Sequence, residues 1–266
     1  MSWISATVLG IVQGLTEFLP ISSTAHLLIG ERLLGFDDPG GVFTVMIQLG
    51  SIIAIVWLYR AKIARVLTRL PSDADARHFV LMLLVAFLPA AMAGALFSGF
   101  VKRVLYTTPT VIAVTFIAGG IVMLIAERYR PEPRVLNADH TPLLRALGIG
   151  ACQTLALIPG VSRSGATIVG AMLLGLDRPA AAEFSFFLAI PTLSAAFAHD
   201  LLKARHELGA ARVEQIAIGF AAAFVASAIV IEPFLAVVRR RGFAPFAWYR
   251  IAAGIAIGGA LLLGLL

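Results

Sequence analysis

Two short stretches carry most of the side chains in this sequence that could do chemistry. The first, residues 10–26, is otherwise apolar but contains Gln13, Thr16, Glu17, Ser22, Ser23, Thr24 and His26. The second, residues 150–167, contains Ser162, Arg163, Ser164 and Thr167. Both are interrupted by a proline, and a broken helix with polar groups is tolerated in hydrocarbon only where it lines a protected cavity. We therefore interpret the stretches as two halves of one active site.

Arg163 indicates an anion site in the second stretch. A guanidinium in an apolar segment is costly unless it holds an anion, and its planar fork suits phosphate oxygens. Gly165 lets the backbone approach closely, and serines before a short helix suit its anion-attracting N-terminus. The predicted phosphate ligands are Ser22, Ser162, Arg163, Ser164 and Thr167. The alternative is that Arg163 pairs with a carboxylate such as Glu17 for structure alone.

The first stretch supplies acid–base groups. Gln13 and Glu17 are four residues apart and would share a helix face. Glu17 could hold a divalent cation or act as a base, and Gln13 could add a neutral oxygen ligand. His26 could move a proton, and Ser23 or Ser22 could be a nucleophile that it activates, although a serine in a membrane helix often bonds its own backbone. The predicted catalytic residues are Glu17, Ser23, His26 and Arg163. We favour Ser23 or His26 as the nucleophile, and a cation-bound water stays open.

The apolar segments thus carry an anion clamp, an acid, an imidazole and several hydroxyls. This combination favours hydrolysis of a phosphate ester or anhydride on a lipid. Such a reaction mainly needs positioning and charge neutralisation. The rival is a lipid-phosphate transporter or flippase, because broken helices in inverted repeats are a transporter architecture. The pair of Glu17 and His26 favours a hydrolase, since a binding site needs no acid–base pair.

The elements that position these residues are predicted to be membrane helices. Of the 266 residues, 59% are hydrophobic and 14% are charged, against roughly a quarter charged in soluble domains. The net charge of +6 does not indicate a nucleic-acid partner, because Lys and Arg lie at segment ends, where they anchor topology. The single cysteine, Cys152, excludes a disulfide framework and a Cys-based metal site. No charged region precedes the first apolar run, so we predict no cleavable signal peptide.

Six apolar segments approach the roughly 20 residues that a membrane span requires. They are residues 42–59, 78–100, 109–127, 184–202, 213–238 and 245–266. Residues 3–35 and 143–176 are also apolar, but they are interrupted at Pro20 and at Pro159-Gly160. We predict that each forms a re-entrant hairpin of two short helices, and the alternative is two more full spans. The predicted fold is an all-α polytopic membrane protein with six transmembrane helices and two re-entrant helical hairpins.

The sequence repeats itself at an offset of 140 residues. Over residues 10–39, 10 of 30 positions are identical without a gap, including Gln13/Gln153, Ser22/Ser162, Asp37/Asp177 and Pro39/Pro179. Each repeat would be one hairpin followed by three spans, so the second repeat would enter the membrane from the opposite side. We predict a single membrane domain over residues 1–266, built as an inverted-topology repeat of residues 1–130 and 141–266.

Basic residues predict the orientation of the chain. Twelve Lys and Arg residues follow the first, third and fifth spans, and the positive-inside rule makes that side cytoplasmic. The other side has Lys102, Arg103, Lys203, Arg205 and Arg212. Both termini would then face outward, with the first hairpin entering from outside and the second from the cytoplasm.

Both stretches resemble the signature regions of bacterial undecaprenyl-diphosphate phosphatases of the bacitracin-resistance type. Gln13 and Glu17 meet a Glu/Gln-x-x-x-Glu motif, and residues 159–167 meet Pro-Gly-x-Ser-Arg-Ser-x-x-Thr. The similarity runs the whole length, including residues 45–51 and 183–186. Many members have Glu in place of Gln13, and many have Glu at the position of Thr44, which we therefore do not count as a site residue.

The resemblance implies hydrolysis of undecaprenyl diphosphate to undecaprenyl phosphate and inorganic phosphate, with a divalent cation, Mg²⁺ or Ca²⁺. This reaction recycles the lipid carrier for peptidoglycan synthesis and confers bacitracin resistance. The resemblance also implies a bacterial inner-membrane location with periplasmic access, and functional roles for Glu17, Ser23, His26 and Arg163. Membrane lipids are further expected partners, and glycines suited to close helix packing leave a homodimer open. Those glycines are Gly119, Gly120, Gly254, Gly258 and Gly259.

Overall fold

The computed structural model describes residues 3–101, 105, 108–204 and 210–265. These residues form α-helices and short 3₁₀ turns, with no β-strand among them. The helices are α1 (Trp3–Thr16), α2 (Ser23–Leu34), α3 (Val42–Leu58), α4 (Arg60–Arg69), α5 (Ala74–Phe100), α6 (Pro109–Tyr129), α7 (Leu143–Gln153), α8 (Arg163–Leu173), α9 (Arg178–Ala204), α10 (Ala210–Arg241) and α11 (Ala244–Leu262). The predicted all-α class is confirmed.

Five of the described helices, α5, α6, α9, α10 and α11, are long and apolar enough to cross a membrane. Helix α3 has 17 residues and turns by 73° into α4, and this bent pair makes a sixth candidate span. The chain is therefore a multi-pass membrane protein. Helices α9 and α10 extend beyond the predicted limits: α9 starts at Arg178 and α10 ends at Arg241. Helix α11 instead ends at Leu262, before its predicted limit.

Each predicted hairpin is a pair of short helices that meet at a non-helical tip. Helices α1 and α2 have 14 and 12 residues and flank Pro20, while α7 and α8 have 11 residues each and flank Pro159-Gly160. At about 1.5 Å per residue, the longest reaches about 21 Å, which is short of the hydrocarbon thickness of about 30 Å. The structure therefore favours two hairpins over two further spans.

Helices at equivalent places in the two predicted repeats make equivalent contacts. Helix α1 packs along α10, and its counterpart α7 packs on α5. Equivalent glycines permit both approaches: a Cβ at Gly10 would lie 2.9 Å from Gly219 Cα, and one at Gly150 would lie 2.9 Å from Ala86 Cα. This pairing agrees with a duplicated scaffold. The orientation in the membrane stays a prediction, and Lys102, Arg103 and Arg205, counted for it, lie outside the described residues.

Three of the five glycines suited to close helix packing lie between α6 and α11 of the same chain. Gly119 and Gly120 of α6 face Arg250, Ala247 and Ile251 of α11, and Gly254 of α11 faces Ala113, Phe116 and Ile117 of α6. Their missing side chains therefore serve the close α6–α11 contact. A Cβ at Gly258 would meet only Ala113 Cβ, at 3.8 Å, and one at Gly259 would meet open space, so the homodimer stays a prediction.

An aromatic core holds the first tip against the second repeat. Phe18, directly after Glu17, is fully buried and meets the ring of Phe186 on α9 edge-on at 5.4 Å. Phe186 in turn contacts Phe234 of α10, whose ring packs on Phe246 of α11. Rigid packing of this kind fixes the tip that carries the acid residue.

We expect Gly150→Val to destabilise the protein, because the new side chain would collide with the backbone of α5 at Ala86. Overpacking of this kind costs about 1–3 kcal/mol or more, so the midpoint of thermal unfolding in detergent should fall by several degrees. The matched control is Gly94→Val on α5, where a Cβ meets open space. Equal shifts in the two variants would contradict the close α5–α7 contact.

Candidate active site

The two hairpin tips meet at an ion pair. Arg163, the first residue of α8, places Nη2 2.9 Å from Oε1 of Glu17, which follows α1. Nearby, the Ser164 hydroxyl donates to the Leu19 carbonyl over 2.8 Å. The structure thus brings together the two polar stretches, as the sequence predicts. Both side chains of the ion pair are almost entirely buried, so their attraction is little screened by water.

Glu17 binds three other side chains of the site. Its Oε2 accepts a 2.6 Å hydrogen bond from the Ser23 hydroxyl and a 2.8 Å bond from Gln13 Nε2. The helical spacing of Gln13 and Glu17 produces the second bond, and the break after α1 allows the chain to return Ser23 to the same carboxylate. Since the Ser23 O–H already points at Glu17, this carboxylate is the base positioned to take its proton.

Gln13 keeps one unused oxygen in the site. Its side chain is fully buried and donates to Glu17, but Oε1 has no hydrogen-bond partner. A buried carbonyl oxygen without a partner is costly, and it lies on the same amide group as the nitrogen bound to Glu17. This orphaned acceptor is the feature of the site that would suit a cation. Among the described residues no group of three or more His, Cys, Asp or Glu could hold a metal alone.

Arg163 has a similarly unused donor. Nη1 donates to the carbonyl and hydroxyl oxygens of Ser185 at 2.9 and 3.3 Å, and Nη2 binds Glu17, while Nε is buried without a partner. The alternative of a structural pair with Glu17 is therefore realised in this state. It does not use the whole guanidinium, and the spare N–H would suit an additional acceptor such as a phosphate oxygen.

The hydroxyls predicted to bind phosphate also have local partners. Ser162 Oγ accepts from Gly165 N, which caps α8, and lies 3.0 Å from Ser164 Oγ. Thr167 is fully buried and donates over 2.7 Å to Ser185 Oγ, the hydroxyl that also meets Arg163. These contacts order the turn around Arg163. Phosphate binding by Ser162, Ser164 and Thr167 stays a prediction.

Both tips have the same unusual backbone conformation. Ser22 and Ser162 have φ of 70° and 74°, and they are the only described residues other than glycine with positive φ. They are equivalent in the predicted repeat, and each immediately precedes a helix. Such a conformation costs about 1–3 kcal/mol and persists where the surrounding structure enforces it. The strain is thus built into the positions that set the directions of Ser23 and Arg163.

His26 is held away from Ser23. Its Nδ1 lies 2.7 Å from the Ser22 carbonyl, which can only accept, so Nδ1 carries the proton. Nε2 lies 2.6 Å from the Tyr249 hydroxyl, with the two rings stacked at 12°. The expected pairing of Ser23 with His26 is not formed, because Ser23 donates to Glu17 and both ring nitrogens of His26 are bonded elsewhere. Glu17 takes that place beside the serine.

Three further residues contact this site that were not among the predicted site residues. Ser185 on α9 contacts Arg163, Tyr249 on α11 contacts His26, and Arg250 on α11 contacts both tips. Ser185 and Tyr249 give little signal in sequence, since hydroxyls are common near helix ends. Arg250 had a signal, because a basic residue inside a predicted span is expensive and functional by default.

Residues 6–256 match the family described as bacitracin resistance protein BacA. The chain is 51% identical to "Undecaprenyl-diphosphatase" of Cereibacter sphaeroides (strain ATCC 17029 / ATH 2.4.9) over 97% of each chain. It is 51% identical to the protein of that name from Paracoccus denitrificans over 98% of each chain. It is 52% identical to "Undecaprenyl-diphosphatase 1" of Agrobacterium fabrum over 98% of this chain and 97% of that one.

We expect Arg163→Met to destabilise the protein more than the double variant Glu17→Gln with Arg163→Met. Removing one partner of a buried ion pair leaves an uncompensated charge, which costs about 3–5 kcal/mol, whereas the double variant removes both charges. Thermal unfolding of the four proteins of this cycle in detergent measures the difference. Additive losses would show that the two side chains are not coupled.

Proposed function

This chain belongs to the bacitracin resistance protein BacA family, and from that premise we propose that it hydrolyses undecaprenyl diphosphate to undecaprenyl phosphate and inorganic phosphate. Relatives about half identical over nearly the whole chain bear the name undecaprenyl-diphosphatase. The motifs around Glu17 and Arg163 match this activity. The reaction recycles the lipid carrier for peptidoglycan synthesis, and it confers bacitracin resistance because that antibiotic captures the diphosphate form.

The observation that carries this proposal is that a serine hydroxyl and a guanidinium converge on one carboxylate. Glu17 lies 2.6 Å from the Ser23 hydroxyl and 2.9 Å from Arg163 Nη2. A nucleophile, its base and a cationic clamp are therefore adjacent. A transporter site needs the clamp but not the serine–carboxylate pair, so the flippase alternative is not favoured.

In the proposed reaction, the terminal phosphate of the substrate first replaces Glu17 as the acceptor that Arg163 binds. Its oxygens accept from the guanidinium, including the unpartnered Nε, and the freed Glu17 becomes the base. Ser23 Oγ attacks the terminal phosphorus as its proton moves to Glu17. The bond from that phosphorus to the bridging oxygen breaks, and undecaprenyl phosphate leaves with this oxygen and the proton from Glu17.

Water completes the cycle. Glu17, again ionised, takes a proton from a water that attacks the phosphoserine formed on Ser23. It returns the proton to Ser23 Oγ as the phosphorus–serine bond breaks and inorganic phosphate leaves. His26 donates from Nδ1 to the carbonyl of the strained Ser22 and accepts at Nε2 from the Tyr249 hydroxyl, so in this scheme it orients the turn that carries Ser23.

A divalent cation, Mg²⁺ or Ca²⁺, is part of the proposal. The donor set fits a hard cation, because Glu17 supplies a carboxylate and Gln13 Oε1 is a buried oxygen without a partner. The remaining ligands would be phosphate oxygens and water. When bound, the cation would neutralise charge on the diphosphate. The proposed setting is the bacterial inner membrane, with substrate entering from the periplasmic side.

The first test is phosphate release from a C15 or C55 prenyl diphosphate by the purified protein in detergent. We expect Ser23→Ala and Glu17→Gln each to lower kcat by about a thousandfold or more, and the double variant to be no worse than either, because the two residues act as a unit. The matched control is Thr24→Ala, which removes the neighbouring hydroxyl and should leave kcat within about threefold. No release by the folded wild-type protein would overturn the proposed hydrolysis.

A second test addresses the cation. Chelation should abolish phosphate release, and added Mg²⁺ or Ca²⁺ should restore it. Gln13→Glu would replace a neutral ligand with a charged one, so half-maximal activity should require about tenfold less cation than the wild type. Full activity in chelator, or no change in the cation requirement of Gln13→Glu, would argue against a cation at these residues.

A further inference from the structure

Arg250 is a buried cation outside the proposed reaction. It lies on α11, is fully buried, and among the described residues forms no ion pair with a carboxylate. Its guanidinium donates only to backbone carbonyls. A buried charge without a counter-charge is expensive even when hydrogen-bonded, so its presence in the middle of the helix bundle requires a physical reason.

The acceptors of Arg250 show what it connects. Nη1 donates to the carbonyl of Pro20 in the first tip at 3.2 Å and to that of Val161 in the second tip at 3.0 Å. Nη2 donates to Gly160 of the second tip and to Thr115 of α6, each at 2.8 Å. Nη1 thus bridges the two hairpins directly, and Nη2 connects the second hairpin to the spanning helix α6.

These bonds fall beside the two strained serines. Pro20 lies two residues before Ser22, and Gly160 and Val161 immediately precede Ser162. Holding those carbonyls fixes the peptide planes that lead into each positive-φ residue. The direction of Ser23 and of Arg163, which follow the strained serines, then depends on the same anchor.

We propose that Arg250 is a positioning residue for the proposed hydrolysis, on which this inference rests. It holds both strained turns so that Ser23 and Arg163 keep their places on Glu17. Four acceptors on three separate elements need the planar, forked guanidinium. A lysine has a compact ammonium that cannot span them.

Helix α6 is shaped to admit this fork. A Cβ at Gly119 would collide with Arg250 Nη2 and lie 2.8 Å from its Cζ. A methyl group at position 119 would therefore displace the guanidinium without removing its charge. Because alanine favours a helix over glycine, this change weakens the clamp while leaving α6 intact, which separates positioning from folding.

The experiment compares three variants with the wild-type protein in detergent: Arg250→Lys, Gly119→Ala and the control Gly259→Ala, whose new methyl on α11 meets open space. Prenyl-diphosphate hydrolysis gives kcat and KM, and thermal unfolding gives stability. We expect kcat to fall about a hundredfold in Arg250→Lys and about tenfold in Gly119→Ala, with KM within threefold. Gly259→Ala should match the wild type.

Amide hydrogen exchange supplies a readout that a general loss of stability would not produce. Exchange should accelerate in the segments 18–24 and 158–165 of Arg250→Lys and Gly119→Ala, while the spanning helices keep wild-type rates. Uniform acceleration along the chain, or full kcat in both variants, would overturn the proposal. If the wild type releases no phosphate, the proposed hydrolysis fails, and exchange confined to the tips decides by itself whether Arg250 holds them.

Discussion

A buried ion pair joins the tips of the two hairpins. Glu17 and Arg163 lie on different hairpins, 146 residues apart in sequence, and meet at 2.9 Å with little access to water. Removing one of the two charges would leave the other buried without its partner, which costs about 3–5 kcal/mol. The ion pair thus holds the two hairpins at a set distance from each other. The positions of the polar residues around the pair depend on this contact.

The two hairpin tips share one backbone conformation but carry different functional groups. Ser22 and Ser162 adopt the same rare conformation at equivalent positions. The residue that follows is Ser23 in the first tip and Arg163 in the second, so the same strained turn presents a hydroxyl once and a guanidinium once. The acid likewise occurs only in the first hairpin, because the equivalent of Glu17 is Leu157. The two tips therefore have similar backbones, but they contribute different side chains to the site.

Sequence reasoning predicted what depends on composition and spacing. The apolar segments predicted the helices, and the polar tips predicted that Glu17, Ser23 and Arg163 would converge. It could not assign the partner of Ser23, because the choice between Glu17 and His26 depends on how the chain turns at Pro20. It also missed Arg250, whose partners are backbone carbonyls that no side-chain pattern reveals. The sequence could not tell which helix Gly119, Gly120 and Gly254 face, because their spacing suits close packing within one chain as well as between two.

The sequence separation of the ion pair has a consequence for biogenesis. At about 5–20 residues per second, the ribosome needs roughly 7 to 30 s to reach Arg163 after it has made Glu17. During that time the first hairpin lacks the guanidinium that pairs with its carboxylate. The contact between the two tips can therefore form only after the second half has been made. The site is completed only when nearly the whole chain has emerged, so a nascent or truncated protein has no half-active state.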